Sequence, residues 1–192
     1  MNRDPLVEVY RHPLLQASDL DQLISVHRPI SFEKGDFILK EGALSNAYYI
    51  LVTGLVRSFV FDFDQNDITT NFISKNELIL EASSLFQGIP SQENFQALTP
   101  CHCLKIDFED FQRLFHSIKG FREWGRAWMA ESLFQLKKRS LSMITDSATD
   151  RYLNLLSQQS DILKNAPLKD VASYLGITDS SLSRIRKETA RN

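Results

Sequence analysis

The spacing of apolar positions changes twice along this chain, and each change marks a different kind of secondary structure. Over residues 1–28 apolar side chains recur at helical intervals. Leu14, Leu15, Leu20, Leu23 and Ile24 mark the apolar side, with Ser18 and Asp21 placed to cap. From Ile30 the pattern shifts to short alternating runs. Ser31–Leu39 holds a Lys34-Gly35-Asp36 turn, and Glu41-Gly42 turns again. Ala47–Val52 is rich in strand formers and stops at Gly54. Leu55–Phe63 alternates, Asp64–Asp67 turns, and Ile68–Ile73 resumes a strand. Phe95–Leu98 and Cys101–Ile106 alternate again. Many short strands with regular turns predict an antiparallel barrel or jelly roll.

From Phe108 the period is helical to the end. A short helix is expected over Phe108–Phe115 and a long one over Phe121–Ile144. The long helix carries two apolar rows: Phe121, Trp124 and Trp128 on one, Met129, Leu133 and Leu136 on the other. One row can cover the barrel while the other meets a second copy; both rows buried within one subunit is the plainer alternative. Trp124, Trp128, Met129, Leu133 and Leu136 are the candidate dimer residues. Ser147–Asp150 breaks the run and caps a helix containing Tyr152, Leu153, Leu155 and Leu156. Gln158–Asp161 reads as a loop.

Pro167–Lys187 carries the most chemistry. Val171 and Leu175 share a helix face, and small Ala172 lets a neighbouring helix cross closely. Gly176 can take the left-handed conformation that ends a helix. Thr178 suits an N-cap, and Asp179 suits the positive end of the next helix. Leu182 and Ile185 point inward, while Ser180, Ser183, Arg184 and Lys187 fall on the opposite face. This is the pattern of a helix-turn-helix whose second helix can enter the DNA major groove. An ordinary helical hairpin with a solvated face has the same local pattern.

The formal net charge of -2 over 192 residues means that any affinity for nucleic acid is local. Arg184, Arg186, Lys187 and Arg191 against Asp179 and Glu188 supply the local excess. Cys101 and Cys103, two apart in a strand, are poorly placed for a mutual disulfide and too few for an iron–sulfur cluster. His12, His27, His102 and His116 are scattered, and no phosphate loop, HExxH or nucleophile motif is present, so no enzyme is expected. Without a signal peptide or long apolar run the chain reads as soluble and cytoplasmic, with no membrane partner.

The order helix, barrel, long helix and paired helices resembles the CRP/FNR family of bacterial transcription regulators, the cyclic-AMP receptor protein group. Phe32, Lys34-Gly35-Asp36, Ile38, Glu41-Gly42, Tyr49–Val52 and Gly54–Arg57 carry the likeness to its cyclic-nucleotide-binding barrel. Ala172–Thr178 and Leu182–Lys187 carry the likeness to its helix-turn-helix. The resemblance implies an α+β fold. A sensor domain of antiparallel jelly-roll type spans residues 1–118, a dimerisation helix residues 119–146, and a winged-helix-like helix-turn-helix domain residues 147–192. It implies a homodimer on double-stranded DNA and RNA polymerase as a further partner. Thr178, Asp179, Ser180, Ser181, Ser183, Arg184, Arg186 and Lys187 are the candidate DNA-binding residues.

The ligand pocket departs from the family. Members that bind a cyclic nucleotide carry Gly-Glu-hydrophobic-Gly and then Arg-Ser or Arg-Thr. Leu80-Glu81-Ala82-Ser83 and Ser91-Gln92 stand there in this chain, with no arginine or lysine from Asn76 to Pro100. A buried phosphate needs a charged partner or several donors. Glu81, Ala82, Ser83, Ser91 and Gln92 are therefore expected not to hold cyclic AMP, no cofactor is expected, and the effector stays open. No cysteine precedes Cys101, which sets the chain apart from the iron–sulfur branch. The competing reading is a ligand-sensing or protein-interaction module whose terminal helices do not read DNA.

Overall fold

The computed structural model describes residues 4–190. It opens with two helices, α1 (Pro5–Val9) and α2 (Ala17–Val26), where one amphipathic stretch was expected. Pro13 has no amide hydrogen to give a helix and disfavours helical backbone at His12. The Asp4 carboxylate accepts from the Leu6 amide at 2.9 Å and caps α1. α2 is capped from Gln16, whose amide donates to Asp19 Oδ2 at 3.1 Å, so the cap falls before the expected Ser18.

Eight strands follow: β1 (Arg28–Phe32), β2 (Phe37–Leu39), β3 (Ala47–Thr53), β4 (Val56–Phe61), β5 (Asp67–Ile73), β6 (Leu78–Ile79), β7 (Asn94–Ala97) and β8 (Cys101–Asp107). A short helix, α3 (Ala82–Gln87), lies between β6 and β7. The strands form two antiparallel sheets, β1-β8-β3-β6 and β2-β7-β4-β5. Alternation sends Leu51, Val56, Ile73, Ile79, Phe95, Ala97, Cys101 and Cys103 into the space between them. Both cysteines are free and buried, and burial pushes the Cys103 thiol up to about 12, leaving it protonated and inert.

The other face of the first sheet is covered by helices. α4 (Phe108–Ser117) and α5 (Lys119–Thr145) bring Phe111, Leu114, Phe121 and Trp124 onto Tyr48, Ile50 and Ile106, with Leu6, Tyr10 and Leu23 from the first two helices. Tyr10 is wholly buried, and its hydroxyl lies 2.9 Å from His27 Nε2 and 2.7 Å from the Tyr48 hydroxyl. His27 Nδ1 lies 2.7 Å from the Leu23 carbonyl. Nδ1 must therefore carry the proton, and Tyr10 donates to Nε2. The chain of bonds satisfies buried polar groups that would otherwise cost about 1–3 kcal/mol each.

The chain ends in four helices: α6 (Ala148–Gln158), α7 (Ser160–Asn165), α8 (Leu168–Tyr174) and α9 (Asp179–Thr189). No strand falls among the described residues of this part. The loop expected at Gln158–Asp161 is only a break at Gln159, where ψ of 52° interrupts the helix. Tyr152, Leu155, Ile162, Val171, Ala172, Leu175, Leu182 and Ile185 form its core, and Leu55, Phe72 and Leu98 of the β domain complete it. At this junction the Phe72 and Tyr174 rings meet edge to face with centroids 5.1 Å apart. The Thr69 amide donates to Ser173 Oγ at 3.1 Å.

Candidate nucleic-acid interface

α8 and α9 are joined by a turn with complete backbone pairing. Gly176 has φ of 67°, its amide donates to the Ser173 carbonyl at 3.0 Å, and the Ile177 amide donates to the Ala172 carbonyl at 3.0 Å. These two bonds define a Schellman termination, which needs the left-handed residue. A Cβ here would also sit 2.5 Å from Met143 Cε on α5, so the end of that methionine side chain would have to move.

Two arginines close the carbonyl end of α8. Arg139 on α5 donates from Nη2 to the Tyr174 carbonyl at 2.9 Å. Arg151 on α6 donates to the Leu175 carbonyl from Nε at 3.1 Å and from Nη2 at 3.0 Å. Cations at a helix C-terminus also oppose its negative dipole end. Both residues went unrecognised at the sequence level. Arg139 there is one of three adjacent cations, and nothing local tells which one turns inward.

Thr178 is the N-cap of α9, its Oγ1 accepting from the Ser181 amide at 3.3 Å. The same Oγ1 lies 3.0 Å from both Ser180 Oγ and Ser181 Oγ. Ser181 is thus half-buried in the cap. Leu182 and Ile185 are buried against α8. Asp179, Ser180, Ser183, Arg184, Arg186 and Lys187 are exposed. Ser180, Ser183, Arg184 and Lys187 share one helix face. Among the described residues none of Arg184, Arg186 and Lys187 makes a salt bridge, so the face keeps its positive charge. The positive end of the helix macrodipole adds to it. Arg191 lies outside the described residues.

The residues proposed for α5 separate into two groups. Trp124 is buried against its own β domain, its Nε1 donating to the Val9 carbonyl at 2.9 Å, and Trp128 packs against the same core. Trp124 is covered by α1 and the first sheet, whereas Trp128 is only half-buried. Met129, Leu133 and Leu136 are exposed, with Phe134, Leu141 and Ile144 extending the apolar surface.

The ligand-pocket residues are engaged locally. Glu81 caps α3, its carboxylate accepting from the Ser84 amide and, at 2.7 Å, from Ser83 Oγ. Ser91 is buried and donates to the Glu93 carbonyl at 2.7 Å, while Gln92 is exposed and Ala82 opens α3. Ile38, Leu39, Tyr49, Ile79 and Phe95 crowd the space beside Glu81 and leave ≈ 10 Å³. That is room for about one water molecule. No group of three His, Cys, Asp or Glu among the described residues is placed to hold a metal. No described helix is long and apolar enough to cross a membrane.

Residues 29–117 match the family model of the cyclic nucleotide-binding domain. No curated protein matches the chain. Among solved structures, FixK2 of Bradyrhizobium japonicum is similar at TM-score 0.74 and 20% identity, with 86% of this chain and 85% of that chain covered. The c-di-GMP-responsive global regulator CLP of Xanthomonas campestris is similar at TM-score 0.71 and 15% identity, with 92% of each chain covered. A protein of Eubacterium rectale described as a CRP/FNR-family transcriptional regulator gives TM-score 0.71 and 15% identity, covering 93% and 86%. These likenesses establish fold, and the family match falls on the β domain that the sequence motifs single out. Residues 29–117 are thus similar to the cyclic nucleotide-binding domain, and the chain taken whole shares the fold of these solved structures.

Proposed function

We propose that this chain is a sequence-specific DNA-binding transcriptional regulator that acts as a homodimer without cyclic AMP. The single observation that carries the reading is the orientation of the terminal helices. α8 is turned onto the β domain, whereas the Ser180, Ser183, Arg184 and Lys187 face of α9 is open to solvent. Two copies paired along the exposed Met129, Leu133 and Leu136 surface would present two such faces. They would enter successive major grooves about 34–36 Å apart.

In this reading Arg184 bonds guanine in bidentate fashion. Ser180 and Ser183 reach base edges or phosphate, and Thr178, Arg186 and Lys187 hold the backbone in register. RNA polymerase is the further partner. The domain division is an α5 dimerisation segment over residues 119–146 between a sensor over 1–118 and a DNA-binding part over 147–192. The filled space beside Glu81, with no arginine or lysine in its lining, supports a sensor that does not take a cyclic nucleotide.

Capture and sequencing of genomic fragments retained by the purified protein tests the reading. Recovery of one near-palindromic site supports it. Retention without sequence preference, or none, overturns it in favour of an interaction module.

A further inference from the structure

Arg57 stands on β4, its side chain is only 6% exposed, and it reaches α8 of the terminal helices. Its Nη1 lies 2.8 Å from Asp170 Oδ1 on α8, off the line of the N–H bond. Its Nη2 donates to Asp67 Oδ2 on β5 at 2.8 Å and to Gln96 Oε1 on β7 at 3.3 Å. The guanidinium carbon lies 4.2 Å from the Phe59 ring centroid. Lys169 of α8 joins Asp67 from the solvent side at 3.4 Å. Two cations and two carboxylates thus balance across the junction, and the Asp170 side chain is 2% exposed.

A buried ion pair adds little net stability, because desolvation offsets the attraction. Its effect is on geometry. A docked pose that slides α8 along the sheet leaves Asp170 buried without its cation, which is heavily penalised, while Arg57 keeps Asp67 and Gln96. Arg57, bonded to Asp67 and Gln96 and seated over Phe59, holds a fixed charge against which Asp170 is best placed at one position of α8. The apolar contacts beside it, Phe72 on Tyr174 and Leu98 on the helical core, have no comparable directional demand. The Schellman turn and the shared Val171–Leu182 core then carry that angle from α8 to α9.

We propose that Arg57 is a positioning residue for DNA binding: through Asp170 it sets the angle at which each subunit presents α9 relative to α5. The proposal rests on the reading of the chain as a dimeric DNA binder. Its specific consequence is half-site spacing. Rigidly held recognition helices accept one centre-to-centre distance, whereas loosened ones accept several.

The experiment uses the full chain with Asp170→Asn and Arg57→Gln, Asp170→Asn being the near-isosteric change that spares the fold. Binding is measured on the captured site and on versions with the half-sites one base pair closer or farther apart. The wild type should bind the altered spacings at least about tenfold more weakly. In the variants the native site should weaken by about tenfold while the altered sites change by less than about twofold, flattening the preference. Undiminished spacing preference in both variants overturns the proposal, whether overall affinity falls or not.

Hydrogen exchange supplies a readout without DNA. The Thr69 amide, held by Ser173, should exchange faster in both variants while β3 and β8 keep their protection. Unchanged exchange at Thr69 overturns the lock itself. A wild type that binds no specific DNA, with Thr69 released in the variants, overturns the regulator reading and the DNA-positioning role but leaves the interdomain lock standing.

Discussion

The Arg139 guanidinium lies on the face of Tyr174, 4.1 Å from its ring centroid, and donates to the carbonyl of that same residue. One side chain of α5 thereby holds both the ring that packs on Phe72 and the backbone that ends α8. Arg139→Ala should destabilise the terminal helices by about 1–3 kcal/mol, combining a stacked cation with a charge-assisted bond. Arg139→Lys should recover little, since an ammonium cannot stack and bond together. Urea unfolding followed by far-ultraviolet circular dichroism reads both.

The open face of α9 gives two distinguishable results. Arg184→Ala should cost about 1–3 kcal/mol on the specific site and relax selection at one base position per half-site. Equal losses on specific and random DNA would remove Arg184 from base reading. Lys187→Ala should lower the salt slope of binding by about one per subunit with little change in sequence preference.

The two rows of α5 should respond differently to charge. Leu133→Glu and Leu136→Glu alter an exposed apolar surface, and sedimentation velocity should show monomers with native circular dichroism. Trp124→Glu places an unpaired charge in the core under Val9 and should unfold the protein instead.

His27 should give the protein an acid sensitivity. Burial holds its imidazole below the usual range, against weaker upward effects from the Leu23 carbonyl and Asp4. The folded state therefore binds fewer protons at this site than the unfolded chain, so stability rises with pH. The contribution is complete above the unfolded value of about 6.5 and is lost progressively as pH falls below it. Urea midpoints between pH 7.5 and pH 5.5 (about the range in which histidine titrates) should fall more for wild type than for His27→Gln.

Cyclic AMP should leave the melting temperature unchanged. A ligand at about 100 times its Kd would stabilise the protein by about 2.7 kcal/mol. A clear upward shift at millimolar cyclic AMP would mean that Tyr49 and Phe95 move aside, contrary to the filled space beside Glu81.

Local chemistry made the α8–α9 segment legible. Gly176, Thr178, Leu182 and Ile185 each have a role set by neighbours within a few residues, and each takes it. The strand pattern read well for the same reason, since alternation at Cys101–Ile106 is itself the geometry of β8. Contacts distant in sequence were opaque. Trp124 and Met129 both look like apolar helix positions, and only the placement of α1 over the former separates them. Arg57 was visible as part of a barrel motif, but its partner Asp170 lies in another part of the chain. Glu81 aligned with a ligand contact, and its role as the cap of α3 depends on the Ser83 and Ser84 geometry that follows it.

Leu55, Phe72 and Leu98 finish the core around Val171 and Leu182. A fragment beginning at Ser147 would leave that core open to water, and a piece so short has little apolar area to spare. The terminal helical unit is thus not a portable cassette. Grafted onto another carrier it would need counterparts of these three side chains to come with it.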